Sequence, residues 1–526
     1  MLGDLMRWRR DARPYRSAAA GAPGSSVALV ITLYHTVHQL KLEAILAKAL
    51  QLEGFRPVML TLRSSRWAKP YFEAFGIEDV VYFDDFVDAE LERETERAVE
   101  RFLGGAPSVQ ELKEFEFRGA HVGQQTLSSL SRRFERGRIS LADPAVELEL
   151  DRLLRESIRS VLGAERLLDR LEPELAIFNE KGYAGLGSIY DVALARGTNV
   201  INFVAAGIHS VDALIFKRYT EETRRVHPTS LSPESWELVR GLPWGEREEH
   251  ELDEEFAFRY DGSAKHPDAG LQEGRRIKTP DEVRSQLGLD PAKPTVVVFS
   301  HILWDANLFY GEDLFEDQET WLVETVRAAC ANPAANWVVK LHPANVFKME
   351  TGRLNDEEAI RQAVPELPRH IRLLRPETDI NTYSLFSAAD AGMTIRGTIG
   401  LELPCFGIPV LTAGTGRYSG LGFTNDSATA EEYLGKLARA HELERLTAGP
   451  TELARRHAHA IFRLRPFRFT SYRSTFKSLA KRHHPLVTNL ELTLGTQQAV
   501  EEAEDLRAFA AWAVDQRRLD YLHGLA

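Results

Sequence analysis

The chain has 526 residues, 44% of them hydrophobic and 27% charged, with a formal net charge of -12. Such a length exceeds what one core organises, and the composition is that of a globular protein, so two domains are expected and disorder or a fibrous repeat is excluded. The acidic balance argues against a nucleic-acid-binding protein, and the two cysteines, Cys330 and Cys405, exclude a four-cysteine zinc site and suit a reducing compartment.

No apolar run approaches the roughly 20 residues of a membrane helix. Residues 1–25 carry arginines without an apolar signal core and read as a flexible basic arm. These features predict a cytoplasmic protein that meets a membrane only peripherally, at its inner face.

The folded part opens with an apolar run from Val27 to Leu33, an amphipathic stretch from Leu40 to Phe55 with Gly54 near its close, and a second run from Pro57 to Leu62. Strand, helix and strand with a terminating glycine make a parallel βαβ unit. A second unit follows in ELAIFNEKGYAG, SIYDVALARG and NVINFVAAG, residues 174–207. The charged, helix-rich stretch between them, Val87 to Arg170, reads as an elaboration on one face. From Tyr219 to Pro294 the pattern breaks down, and the domain boundary is expected there. Its acidic run from Glu246 to Phe256 reads as a solvated face.

A second α/β domain begins with the strand TVVVFS, Thr295 to Ser300. A helix near Glu319 to Ala331, the strand NWVVKL, the helix INTYSLFSAAD, the strand AGMTI, a short helix at TIGLEL and the strand PVLT follow in order. Alternation of this kind predicts two doubly wound, Rossmann-like parallel sheets facing a cleft. The expected divisions are 26–285 for the first domain, 286–453 for the second, and 454–526 for a basic, helical segment packing back on the first domain.

Ligands of open parallel sheets bind beyond the carboxyl ends of the strands. In ADAGMTIRGTIGLELPCFGIPVLTAG a strand ends at Ile395, Arg396 and Gly397 turn the chain, and a helix starts near Thr398. Free amides and the helix dipole there suit an anion, and Arg396 adds a fixed charge. Glu402, one turn on, is placed to reach a ribose. A βαβ turn with glycines alone would need no ligand; the Arg-Gly-Thr-Glu spacing favours one. His342 directly follows the strand NWVVKL and is placed to donate to a phosphate, with Pro343 fixing its loop, although a His-Pro pair by itself is often only a turn.

The succession KLHP, SLFSAAD and TIRGTIGLELPCFGIPVLTAGTGRYSGLG, with FSHILWDANLFYG before it, resembles the capsule-polysaccharide-synthesis family, which includes bacterial Kdo transferases and is more distantly similar to GT-B sialyltransferases. The resemblance covers roughly Thr295 to Thr424. It implies a GT-B fold, with 26–285 as the acceptor-side domain and 286–453 as the nucleotide-sugar-binding one, and a glycosyltransferase acting on a bacterial surface polysaccharide or glycolipid. Donor-phosphate contacts would fall on His342, Arg396, Gly397 and Thr398, and the ribose contact on Glu402. Pro404 departs from the family pattern and should shorten the helix. The base stays open, with CMP-linked donors among the candidates. No cofactor and no metal are implied, and Asp84-Asp85 read as a helix start.

An acid or base should come from facing loops. Glu180, ending the strand LAIFN beside Asn179 and Lys181, ranks first; His35 and His38 after the first strand, and Asp305, are the alternatives, although such residues are often solvated loop groups or caps. The stretch Ala454 to Pro485 has no acidic residue and interleaves arginines with Phe462, Phe467, Phe469, Tyr472 and Phe476. Arg463, Arg465 and Arg468 there are candidates for an anionic membrane or lipid-linked acceptor surface; the competing reading is a segment crossing back with its arginines on the acidic elaboration. The closing stretch from Ala499 to Leu522 reads as a packing helix. Other functions compatible with the pattern are a polyol-phosphate transferase, a sugar-nucleotide 2-epimerase, and a non-catalytic component of a polysaccharide-assembly complex.

Overall fold

The computed structural model describes residues 2–18, 26–33, 36–206, 213–260, 275–305, 308–342, 356–477 and 487–525. Six strands of the first half, β1 (Val27–Ile31), β2 (Arg56–Thr61), β3 (Val80–Tyr82), β4 (Leu175–Phe178), β5 (Asn199–Ala205) and β6 (Ala213–Tyr219), build one sheet. Five strands of the second half, β7 (Thr295–Phe299), β8 (Asn336–Lys340), β9 (Ile371–Leu374), β10 (Ala391–Thr394) and β11 (Val410–Thr412), build another.

The parallel part of the first sheet runs β3-β2-β1-β4-β5, and the second sheet runs β9-β8-β7-β10-β11, parallel throughout. Both therefore share one doubly wound order, with a switch point beside each first strand. The apolar runs that fill β1, β4, β7 and β8 are covered on both faces, as parallel strands require. With strand-end loops of the two sheets in contact, this is the GT-B arrangement expected from the sequence.

One face of the first sheet is covered by the helices Val37–Leu52 and Glu504–Val514, the other by Pro144–Leu171 and Leu186–Ala195. Among the described residues no helix is long and apolar enough to cross a membrane.

Several expectations are corrected. Residues 2–17 form two helices instead of a loose arm, and Leu5, Trp8, Ala12 and Tyr15 are buried. The reason is their spacing, which makes one helical stripe. Trp8 stacks on Phe75 at 4.8 Å and Tyr15 donates to the Ser471 carbonyl at 2.7 Å. The acidic run is solvated on one side only: Glu246, Asp253 and Glu254 are exposed, but in the helix Glu246–Tyr260 the residues Leu252, Phe256 and Tyr260 form a stripe in the second core. Val283 of the helix Pro280–Leu287 joins them, so the boundary lies before Glu246, not at 285.

The return crossing also starts later than residue 454. Ala454, Ala458, Ile461 and Phe462, on the helix Ala448–His459 and the π turn Ala460–Leu464, belong to the second core. Only at β12 (Phe467–Arg468), antiparallel to β6, does the chain join the first sheet. A hairpin of β13 (Tyr472–Lys477) and β14 (Val487–Leu492) then leads into two short helices, Gln497–Glu501 and Glu504–Val514, in place of the single closing helix expected.

Candidate functional site

The switch points bring the loops after β4, β7 and β10 to the domain junction. In the first of these, the Glu180 carboxylate accepts from the amides of Lys181 at 2.7 Å and Gly182 at 3.3 Å, which fixes a tight turn. Gly182 lies directly against Phe309 of the other domain: a Cβ there would be 2.1 Å from the ring. The Tyr183 hydroxyl donates to Asp305 Oδ1 at 3.1 Å across the junction, with the Arg132 guanidinium 4.7 Å over the Tyr183 ring. The structure thus places Glu180 and Asp305 within electrostatic reach of each other. Glu180 keeps part of its surface open, yet burial raises its proton affinity; its two amide donors and Arg132 pull the other way, and the Asp305 charge adds to the rise.

Behind this turn lies a polar cluster that sequence reasoning missed. Lys181 is buried, donates to the carbonyls of Arg224 and Val226, and stands 3.9 Å over the Tyr219 ring, with Tyr310 at 5.4 Å. Burial, then Arg224 and Lys217, drives its pKa well below the ordinary lysine value. His227 packs on Tyr310 at 4.8 Å and has its Nε2 3.4 Å from Arg417. Burial, then Arg417 and Lys181, keeps His227 neutral. It sits in the stretch read as linker, so no pattern pointed to it. Arg417, in the quoted loop after β11, has a buried Nε without a partner among the described residues.

On the second sheet, His342 stands two residues beyond β8 with its amide donating to Ser300 Oγ at 2.8 Å, and Ser300 in turn donates to the buried Asp356. His301, in the loop after β7, accepts from the Ile395 amide at 3.2 Å and contacts Thr394 Oγ1 at 3.0 Å. Burial first, then His342, Arg396 and Arg417, takes its pKa down to about 3. These four groups therefore occupy one electrostatic neighbourhood. Gly397 donates its amide to Thr394 Oγ1 at 3.2 Å, and a Cβ on it would come within 3.2 Å of His301. Thr398 is half-buried at the start of the one-turn helix Ile399–Glu402. His35 and Pro343 lie outside the described residues. His38 falls on the first turn of the helix Val37–Leu52.

Three candidates have different surroundings from those expected. Arg396 does not offer a free charge: its guanidinium pairs with Asp313 and donates to the Tyr310 carbonyl, because the long β7 loop folds over it. Glu402 is not at a cleft mouth. Its carboxylate is buried, accepts from the Tyr260 hydroxyl at 2.6 Å and lies 3.8 Å from Arg259, since the chain tightens at Leu403–Phe406, around Pro404, and leaves Glu402 against the helix Glu246–Tyr260. Arg465 is wholly buried 2.9 Å from Asp520, which also binds Lys217 at 2.7 Å, and so forms no surface for an anion. Phe462, Phe467, Phe469 and Tyr472 are core residues, which removes the aromatic half of the membrane-surface reading. Arg455, His459 and Arg463 instead face Glu249, Asp253, Glu251 and Glu255 of the acidic helix.

Residues 258–453 match the family model described as capsule polysaccharide biosynthesis protein. The match takes in the whole second sheet, the part of the chain that carries the sequence resemblance. Similar solved structures include a KpsC beta Kdo 2,4 transferase from Thermosulfurimonas dismutans, at 16% identity over 55% of this chain and 79% of that one, TM-score 0.31. Another is UDP-GlcNAc 2-epimerase from Neisseria meningitidis bound to UDP-GlcNAc, at 11% identity over 83% and 96%, TM-score 0.27. A third is Anabaena Alr3699/HepE in complex with UDP, at 13% identity over 83% and 94%, TM-score 0.28. No curated protein matches the sequence.

Proposed function

We propose that the chain is a glycosyltransferase that moves a sugar from a nucleotide-sugar donor to a bacterial surface-polysaccharide or glycolipid acceptor. The observation that carries this reading is the placement of Glu180 within electrostatic reach of Asp305, beside the Tyr183–Asp305 hydrogen bond that joins two doubly wound domains, the second of which matches a capsule-biosynthesis family. Attack on an anomeric carbon needs a group to take the acceptor hydroxyl's proton. Glu180 fits that role because its raised proton affinity makes it a better base than an ordinary solvated carboxylate, while its turn is held rigidly by two amides.

The departing nucleotide phosphate would be met by Arg417, by His342 beside Ser300, and by the Gly397–Thr398 turn. Arg396 and Arg465 also have an unpartnered buried Nε, but each is ion-paired; Arg417 has no ion pair among the described residues, which suits it to an incoming oxyanion. Charge stabilisation of this kind needs no metal, and we assign none. Arg396, committed to Asp313, acts as support for the loop.

A thermal-shift screen of CMP-, UDP-, GDP- and CDP-linked sugars identifies the donor. With that donor, Glu180→Gln should keep its affinity and lose about 10²–10⁴-fold in turnover. Near-normal turnover in Glu180→Gln would remove Glu180 from the chemistry, and a large loss in Asp305→Asn alone would transfer the role to Asp305.

A further inference from the structure

A cavity of about 570 Å³ lies where the chain passes between the domains, and none of its lining residues belongs to the strand-end loops. One wall is the outgoing connection, Leu242 to Glu248, with Trp244 at its centre; the other is the returning one, Arg463 to Arg468, closed by His523 and Leu525 of the tail. Its charge is lopsided, since four arginines face two glutamates.

The arginines differ in how far they are already engaged. Arg456 binds Glu452 at 2.7 Å and the Leu242 carbonyl at 2.7 Å, and Arg247 binds Glu248 at 2.6 Å. Arg463 has only a 3.9 Å approach to Glu255, whose Oε1 accepts from Arg259 at 2.9 Å. Arg468 is exposed on β12; its guanidinium has no hydrogen bond or ion pair within 4 Å among the described residues, and the Glu255 carboxylate feels its charge only from further away. Two guanidiniums therefore face the cavity with donors to spare, beside an indole and the apolar side chains of Leu242, Leu464 and Leu525. Paired guanidinium forks suit the oxygens of a phosphate, and the indole and leucines suit an organic portion attached to it.

We propose that this cavity is a second ligand site, separate from the junction of Glu180 and Asp305, which binds a phosphate-bearing group on Arg463 and Arg468. The phosphate belongs either to a small soluble molecule or to a lipid headgroup. Because both connections between the domains line the cavity, an occupant touches the two segments that must move together when the domains shift. The site itself does not depend on the glycosyltransferase reading; only the second class of pyrophosphate site counted below rests on the phosphate contacts proposed there.

Calorimetry of the full chain with inorganic pyrophosphate, and co-sedimentation with phosphatidylglycerol or phosphatidylcholine vesicles, test it. Wild type should show two classes of pyrophosphate site or selective binding to the anionic vesicles. The double variant Arg463→Gln/Arg468→Gln should lose one class, or the vesicle binding, by about tenfold or more, whereas His342→Ala should keep it. Loss for pyrophosphate alone identifies a soluble phosphate; loss for anionic vesicles identifies a headgroup. Unchanged binding of both probes in the double variant, or no such binding in wild type, overturns the proposal. Should the double variant melt at a lower temperature, Arg468→Gln alone, at an exposed position, gives the same reading.

Discussion

Gly182→Ala tests whether the contact between the domains positions the candidate base. The backbone of Gly182 is one that any residue adopts, so the substitution acts through space alone. An added Cβ would lie 2.1 Å from the Phe309 ring, against about 3.5–4.0 Å for a comfortable carbon contact. The two loops must therefore separate by roughly 1.5 Å, and the turn cannot yield locally because the Glu180 carboxylate grips the amides of Lys181 and Gly182. Overpacking of this order costs about 1–3 kcal/mol, which lowers the closed-to-open equilibrium constant of the contact by about 5- to 150-fold. Hydrogen exchange should show that acceleration at amides 181–187 and 308–314, with the two sheets unchanged. Phe309→Ala removes the obstructing ring and should restore much of the protection to the double variant. Wild-type exchange in Gly182→Ala, or no recovery in the double variant, would refute the reasoning.

Glu402→Ala should destabilise the second domain by about 1–3 kcal/mol in urea unfolding, because the buried Tyr260 hydroxyl loses its acceptor; an unchanged midpoint would return Glu402 to a ligand role. Asp520→Ala leaves Lys217 and Arg465 buried without a counterion and should cost about 3–5 kcal/mol. Burial works against the Asp520 carboxylate, but Arg465 and Lys217 outweigh it and hold its pKa at about 2. Its folded pKa is depressed, so the stability it contributes is present above the ordinary aspartate range and lost only as pH falls towards 2, and a difference between wild type and variant that vanished already at pH 5 would contradict this. His457, caged by Trp236 at 5.4 Å and Phe423 at 5.8 Å, is held neutral with a pKa of about 3 by burial and then Arg417. The unfolded chain binds its proton below pH 6.5 and the folded chain does not, so stability falls from pH 6.5 towards 3 by about 1.4 kcal/mol per unit for this group. His457→Phe should flatten the acid slope by that amount, and equal slopes would show that the ring is protonated in the fold.

The sequence by itself determined the two doubly wound domains, because the apolar runs of β1, β4, β7 and β8 have to be buried on both faces and the helices between them supply the cover. It also placed the candidate residues Glu180, Asp305, His342 and Gly397 in loops beyond strand ends, and the fold has them there. A stripe as local as Leu5, Trp8, Ala12 and Tyr15 was legible too, although its arginine-rich setting reads as an arm. What no local pattern could state is which charges neutralise one another across long separations. Arg396 is occupied by Asp313 from another loop, Glu402 by Tyr260 from the preceding helix, and Arg465 by Asp520 from the tail. A charge is available to a ligand only if the fold leaves it unpaired, and that depends on contacts between residues far apart in the chain. Lys181, His227 and Arg417 meet for the same reason: packing of one domain against the other, and no feature of their own segments, brings them to one place.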